Sequence, residues 1–134
     1  MQISTRSRYG LRALVAMSRQ EGGTVSCEEI AEKEGISKKY LDRILAALRR
    51  ASLIESRRGQ GGGYCLARQP DEIRLDEVVS VLERGLEIIP CLEDPSECER
   101  AGSCRSRDVW HSVAVALEDA LGEITLADIS AGKV

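Results

Sequence analysis

The segment from Pro90 to Trp110 cannot form the interior of a domain. It is dominated by polar side chains, carries Glu93, Asp94, Glu97, Glu99 and Asp108, and is interrupted by Pro95 and Gly102. Such a stretch has little to bury, so it divides the chain into a part before it and a part after it. Yet it holds three of the five cysteines, Cys91, Cys98 and Cys104, spaced C-x6-C-x5-C. Thiols in so polar a setting are better explained as ligands or redox groups than as small hydrophobes.

At 134 residues the chain has the length of one domain, or of one small domain with an appendage, and can build a core without a metal. No run approaches the roughly 20 apolar residues of a membrane span, and the first residues lack the apolar region of a signal peptide. The expectation is a cytoplasmic protein without a membrane partner, in a reducing compartment where thiols stay free or bind metal. Net charge is only −3, but residues 1–70 carry 13 Lys or Arg against 7 Asp or Glu, whereas residues 71–134 carry 6 against 15. The first half is thus suited to a polyanion and the second is not.

Within the first half, Ile3 to about Gln20 has the apolar spacing of a helix, ended by Gly22-Gly23. Ser26-Cys27-Glu28-Glu29 is a capping box that opens a short second helix, closed near Gly35. Ser37 caps a third, whose Leu41, Ile44, Leu45 and Leu48 stand at i, i+3, i+4 and i+7. Two short helices joined through Glu34-Gly35-Ile36 make a helix-turn-helix. The opposite face of the third helix presents Lys38, Lys39, Asp42, Arg43, Ala46 and Arg50, which suits a helix entering a major groove N-terminus first.

Leu53–Ser56 and Tyr64–Ala67 read as strands flanking Arg57-Arg58-Gly59-Gln60-Gly61-Gly62-Gly63. A glycine-rich hairpin with paired arginines at its base is a wing that can lie on phosphates or enter a narrow minor groove. The glycines do not form a nucleotide loop, because no Gly-Lys-Ser/Thr follows and no helix opens after them. Beyond Pro70, Leu75, Val78, Val79 and Leu82 form a fourth amphipathic helix closed by Gly85. After the cysteine segment, Ser106 or Asp108 starts a long helix through Leu121. Trp110, Val113, Ala114, Leu117, Ala120 and Leu121 give it a broad apolar face for contact with a second chain. Thr125 to Ile129 form a last short turn.

The C-x6-C-x5-C spacing is wider than the Cys-x2-4-Cys pairs of structural zinc sites and favours the larger iron-sulfur clusters, with zinc and redox-active or inert thiols as the alternatives. Cys27 and Cys65 fall in a helix and a strand and read as packing residues. His111 is the only histidine and a candidate fourth ligand, but it lies seven residues past Cys104, about 10 Å along a helix. No catalytic constellation can be placed, so an enzyme is not expected.

Ile3 to Ala13, the start Ile36-Ser37-Lys38-Lys39-Tyr40-Leu41, the run Arg57 to Tyr64, the three cysteines, Trp110 and Ile124 to Asp128 together resemble the bacterial winged-helix regulators of the iron-sulfur IscR and nitric-oxide-sensing NsrR type. The resemblance spans nearly the whole chain. It implies a mainly α fold with a small β wing. Residues 1–85 would form the winged helix-turn-helix head, 86–105 the cluster-binding loop, and 106–134 the dimerisation helix and tail. It implies a homodimer that reads a palindromic or near-palindromic double-stranded DNA operator, as a repressor controlled by an iron-sulfur cluster on Cys91, Cys98 and Cys104. A [2Fe-2S] cluster is favoured over [4Fe-4S]. Ser37, Lys38, Lys39, Tyr40 and Arg43 would enter the major groove, and Arg57, Arg58 and Gln60 would act at the wing. Two positions depart from the pattern. Arg107 stands where the IscR type has a histidine, and Arg6-Ser7-Arg8 stands where the NsrR type offers an acidic residue to its partner. The alternatives are a cluster-free thiol-redox or partner-controlled regulator of sulfur metabolism, and a small metal-binding or electron-transfer module without DNA binding.

Overall fold

The computed structural model describes residues 2–83, 86 and 88–134, so the helix stop expected at Gly85 lies outside the described residues. Helices α1 (Thr5–Ser18), α2 (Cys27–Glu34) and α3 (Lys38–Arg50) lead into a hairpin of β1 (Ile54–Arg57) and β2 (Gly63–Leu66). A 3-10 turn at Pro70–Glu72 and helix α4 (Leu75–Glu83) follow. The cysteine segment contains a single-turn helix, α5 (Pro90–Glu93), and a 3-10 turn at Pro95–Glu97. The long α6 (Arg105–Gly122) and the short α7 (Leu126–Ser130) complete the chain. The fold is mainly α with a two-stranded antiparallel wing, and no described helix is long and apolar enough to cross a membrane.

Local chemistry sets the helix ends. The Ser26 hydroxyl accepts from the Glu29 amide while the Glu29 carboxylate accepts from the Ser26 amide, the reciprocal capping the sequence encodes. Gly35 takes φ 65°, a left-handed conformation that costs other residues strain, and there the chain turns from α2 into α3. The Ser37 hydroxyl then accepts from the Tyr40 amide to start α3.

The head forms around the apolar stripe of α3. Leu41, Ile44, Leu45 and Leu48 are fully buried with Ala13, Leu14 and Met17 of α1 and Val78 and Leu82 of α4. Each such leucine or isoleucine contributes about 1.5–3 kcal/mol of burial free energy. Gly10 allows the closest approach, since a methyl group there would run into Leu82.

The wing pairs Ile54 with Leu66 through to Arg57 with Gly63. Both strands lie one residue nearer the hairpin tip than expected: β1 starts after Leu53, whose amide still donates to Leu48 O and finishes the turn out of α3, and β2 starts before Tyr64, because Gly63 pairs with Arg57. Val25 joins the hairpin by reciprocal backbone bonds to Tyr64, at 2.9 and 2.8 Å.

The long helix begins at Arg105, ahead of the expected Ser106 or Asp108, with Cys104 as its N-cap. It has no buried residue, and Val109 and Trp110 are 60% and 42% exposed. The chain then returns to the head. The Leu126 amide donates to Ile73 O and the Leu75 amide to Ile124 O, both at 2.9 Å, and the Leu126 side chain enters the head core.

Candidate nucleic-acid interface and cysteine loop

The outward face of α3 is exposed at Lys38, Lys39, Asp42, Arg43, Ala46 and Arg50. Its groups are not equally free. The Lys38 ammonium lies 2.8 Å from Glu28 Oε1, and this hydrogen bond draws the Glu28 carboxyl below its usual range and raises the lysine. Tyr40 is half-buried, its ring edge-on to Tyr9 at 6.1 Å, while the Ser37 hydroxyl is engaged as the cap. Beneath this face the Cys27 thiol donates to Asp42 Oδ1 at 3.1 Å. Burial, and then the hydrogen bond to Asp42, push this thiol up to about 12, so it stays protonated and unreactive. The sequence placed Asp42 on the face, but nothing in the spacing signalled its tie to a cysteine fifteen residues earlier.

At the wing, Arg57, Arg58 and Gln60 are all exposed. Arg57 Nη1 donates to Gly22 O at 3.3 Å, and Thr24 Oγ1 donates to Gly61 O at 2.5 Å. The hairpin is thus latched to the loop between α1 and α2, which sets its angle to α3. The result is a cationic helix face beside a braced basic hairpin, the shape and charge of a reader of duplex DNA.

Cys91, Cys98 and Cys104 are free and half-exposed, whereas Cys27 and Cys65 are buried in the head. Each loop cysteine sits at a structural junction. Cys91 is in the single turn of α5, Cys98 ends the 3-10 turn, and Cys104 precedes α6 without using its thiol as a cap. Arg107, one turn into α6, donates from Nε to Cys91 O at 3.0 Å. Among the described residues no three Cys, His, Asp or Glu side chains converge on a common metal position, and His111 is exposed on α6. The donor set fits an iron-sulfur cluster in chemistry, with three soft ligands withdrawn neither into the core nor into a disulfide, but the loop does not hold them preassembled.

A family model described as "Rrf2: Iron-dependent Transcriptional regulator" matches residues 3–132. The chain belongs to the Rrf2 family. It is therefore a DNA-binding transcriptional regulator and not an enzyme. Protein rrf2 of Nitratidesulfovibrio vulgaris is 40% identical over 131 residues, which cover 96% of this chain and 87% of the relative. The solved structure of CymR (YrzC), the global cysteine regulator of B. subtilis, superposes with a TM-score of 0.80 at 32% identity, covering 98% of this chain and 97% of that one. T. potens IscR superposes with a TM-score of 0.81 at 34% identity, covering 100% and 89%. The winged-helix architecture of this Rrf2 protein is thus shared with solved regulators along nearly its whole length.

Proposed function

We propose that this Rrf2 protein is a homodimeric repressor that reads a palindromic or near-palindromic operator, with Cys91, Cys98 and Cys104 holding a [2Fe-2S] cluster that reports iron-sulfur, redox or nitric oxide status. The observation that carries this reading is the position of three free, half-exposed thiols on a loop bonded to the first turn of α6, between a DNA-reading head and a long helix with no buried residue. This reading takes residues 1–85 as the winged helix-turn-helix head, 86–105 as the cluster-binding loop and 106–134 as the dimerisation helix and tail, with Leu126 of the tail packed into the head core.

In this reading Ser37, Lys38, Lys39, Tyr40 and Arg43 present the N-terminal end of α3 to the major groove, and Arg57, Arg58 and Gln60 meet the backbone or minor groove at the wing. Lys38 must leave Glu28 to do so. The broad apolar face of α6 through Trp110, Val113, Ala114, Leu117, Ala120 and Leu121, none of them buried, pairs with its counterpart in a second copy. The bound cluster would supply redox and nitric oxide chemistry, and the three cysteines would be its protein ligands. His111 is not assigned the fourth position. Because the loop touches α6, gathering the thiols changes how the helix seats and hence how two heads are spaced. Such a change regulates transcription only through different affinities of the two states for DNA.

The test is anaerobic purification with a visible absorption spectrum and assays of iron and acid-labile sulfide. Bands above about 300 nm with near-equal iron and sulfide, lost in Cys91→Ala, Cys98→Ala and Cys104→Ala, are expected. A colourless protein after attempted reconstitution would favour the second reading, a cluster-free regulator of sulfur metabolism controlled by thiol oxidation or a protein partner. That reading draws on the thiols not converging and on the likeness to a cysteine regulator.

A further inference from the structure

We propose that Arg107 is the clasp of the cysteine loop: a positioning residue that ties the backbone at Cys91 to the first turn of α6, the helix that opens immediately after Cys104, before any metal is bound. Its role rests on the cluster reading, but its geometry does not. Arg107 Nε donates to Cys91 O at 3.0 Å across sixteen residues of chain. It is the one half-buried side chain among Arg105, Ser106, Arg107 and Asp108, so the first turn of α6 turns this cation inward and its neighbours outward.

The rest of the loop is organised in short turns that meet at this bond. The Asp94 amide donates to Pro90 O at 3.1 Å, the Ala101 amide to Cys98 O at 3.0 Å, and the Arg107 amide to Cys104 O at 3.1 Å. These bonds fix each cysteine locally, yet none of them joins the first cysteine to the last. The Arg107 side chain ties the first cysteine's backbone to the helix that follows the last. A guanidinium suits the task, because it remains charged while one of its five donors is committed to a carbonyl. It adds a cation, beside Arg100 and Arg105, to a segment that carries Glu93, Asp94, Glu97 and Glu99. Arg107 thereby shortens the search that an incoming metal centre must make for its first and last protein ligands.

The test uses the full-length, metal-free protein carrying Cys98→Ser, with Cys27 and Cys65 left in place because both are buried. A short bismaleimide joins Cys91 to Cys104 within one chain, scored on the monomer band and by peptide mass. Arg107→Gln is expected to slow this cross-link by about fivefold to tenfold, the population equivalent of one ordinary hydrogen bond at a half-exposed site. Arg107→Lys, which keeps a cationic donor, is expected to retain most of it, and Arg105→Gln all of it. Equal rates in wild type and Arg107→Gln overturn the proposal, as does a loss in Arg105→Gln as large as that in Arg107→Gln. The reading of the loop as a cluster site is decided separately by the spectrum of the anaerobic protein, so a clasped but colourless chain would refute that reading and leave the clasp standing.

Discussion

Replacing Glu28 by Gln is expected to tighten operator binding through Lys38 alone. The Lys38 ammonium is 2.8 Å from the Glu28 carboxylate, with the two side chains 56% and 65% exposed. An exposed pair of this kind stabilises only weakly. If Lys38 must exchange Glu28 for a phosphate on binding, that energy is subtracted from the affinity of the wild type. Its removal should lower Kd by about 1.4-fold to 5-fold at low salt. The log-log dependence of affinity on salt should stay as in the wild type, because the number of neutralised phosphates does not change. Lys38→Gln should instead weaken binding and flatten that slope by about 0.9. Fluorescence anisotropy titrations from about 50 to 200 mM salt would read all four members of the double-mutant cycle. In the Lys38→Gln background, Glu28→Gln should have no effect. An equal gain in that background would mean that Glu28 merely repels DNA, and a loss of affinity in the single Glu28 variant would refute the exchange outright.

Three further outcomes follow from the same geometry. Arg57→Ala with Arg58→Ala should weaken binding to all sequences and flatten the salt slope, by up to about 1.8 if both meet phosphates; an unchanged slope would remove the wing from the interface. Cys27 is held protonated in the fold up to about 12 against an ordinary value of 9.0, so the unfolded chain loses this proton first and stability falls as pH rises through that window. Between pH 8 and pH 10, urea denaturation should show the wild type losing about 1.4 kcal/mol more than Cys27→Ala, and parallel profiles would mean the thiol is not so held. Leu126→Ala should cost about 2–5 kcal/mol and lower the melting of α1 and α3 along with the tail, as read by hydrogen exchange. Separate melting of residues 124–130 would show that they are not part of the head core.

Much of the head was legible in the sequence because its signals are local. The Ser26 capping box, the glycine between α2 and α3 and the i, i+3, i+4, i+7 leucines each act over a single turn of chain, and each appears in the structure where the pattern put it. The wing was legible as a hairpin but misplaced by one residue, since whether Leu53 ends a helix or begins a strand depends on its bond back to Leu48. The start of α6 was misjudged for a related reason. A cysteine in a polar segment carries no capping signature, yet Cys104 is the residue at which the helix begins.

The sequence by itself determined the winged helix-turn-helix, its basic face and the three thiols held out of the core, because periodicity, capping and charge are properties of neighbouring residues. Only the tertiary structure decided how those parts are connected. Glu28 restrains Lys38, Cys27 holds Asp42, Gly22 latches Arg57, and Arg107 closes the cysteine loop. The return of Leu126 to the head is of the same kind. Each of these bonds joins residues on different elements, and their meeting depends on how the elements pack together.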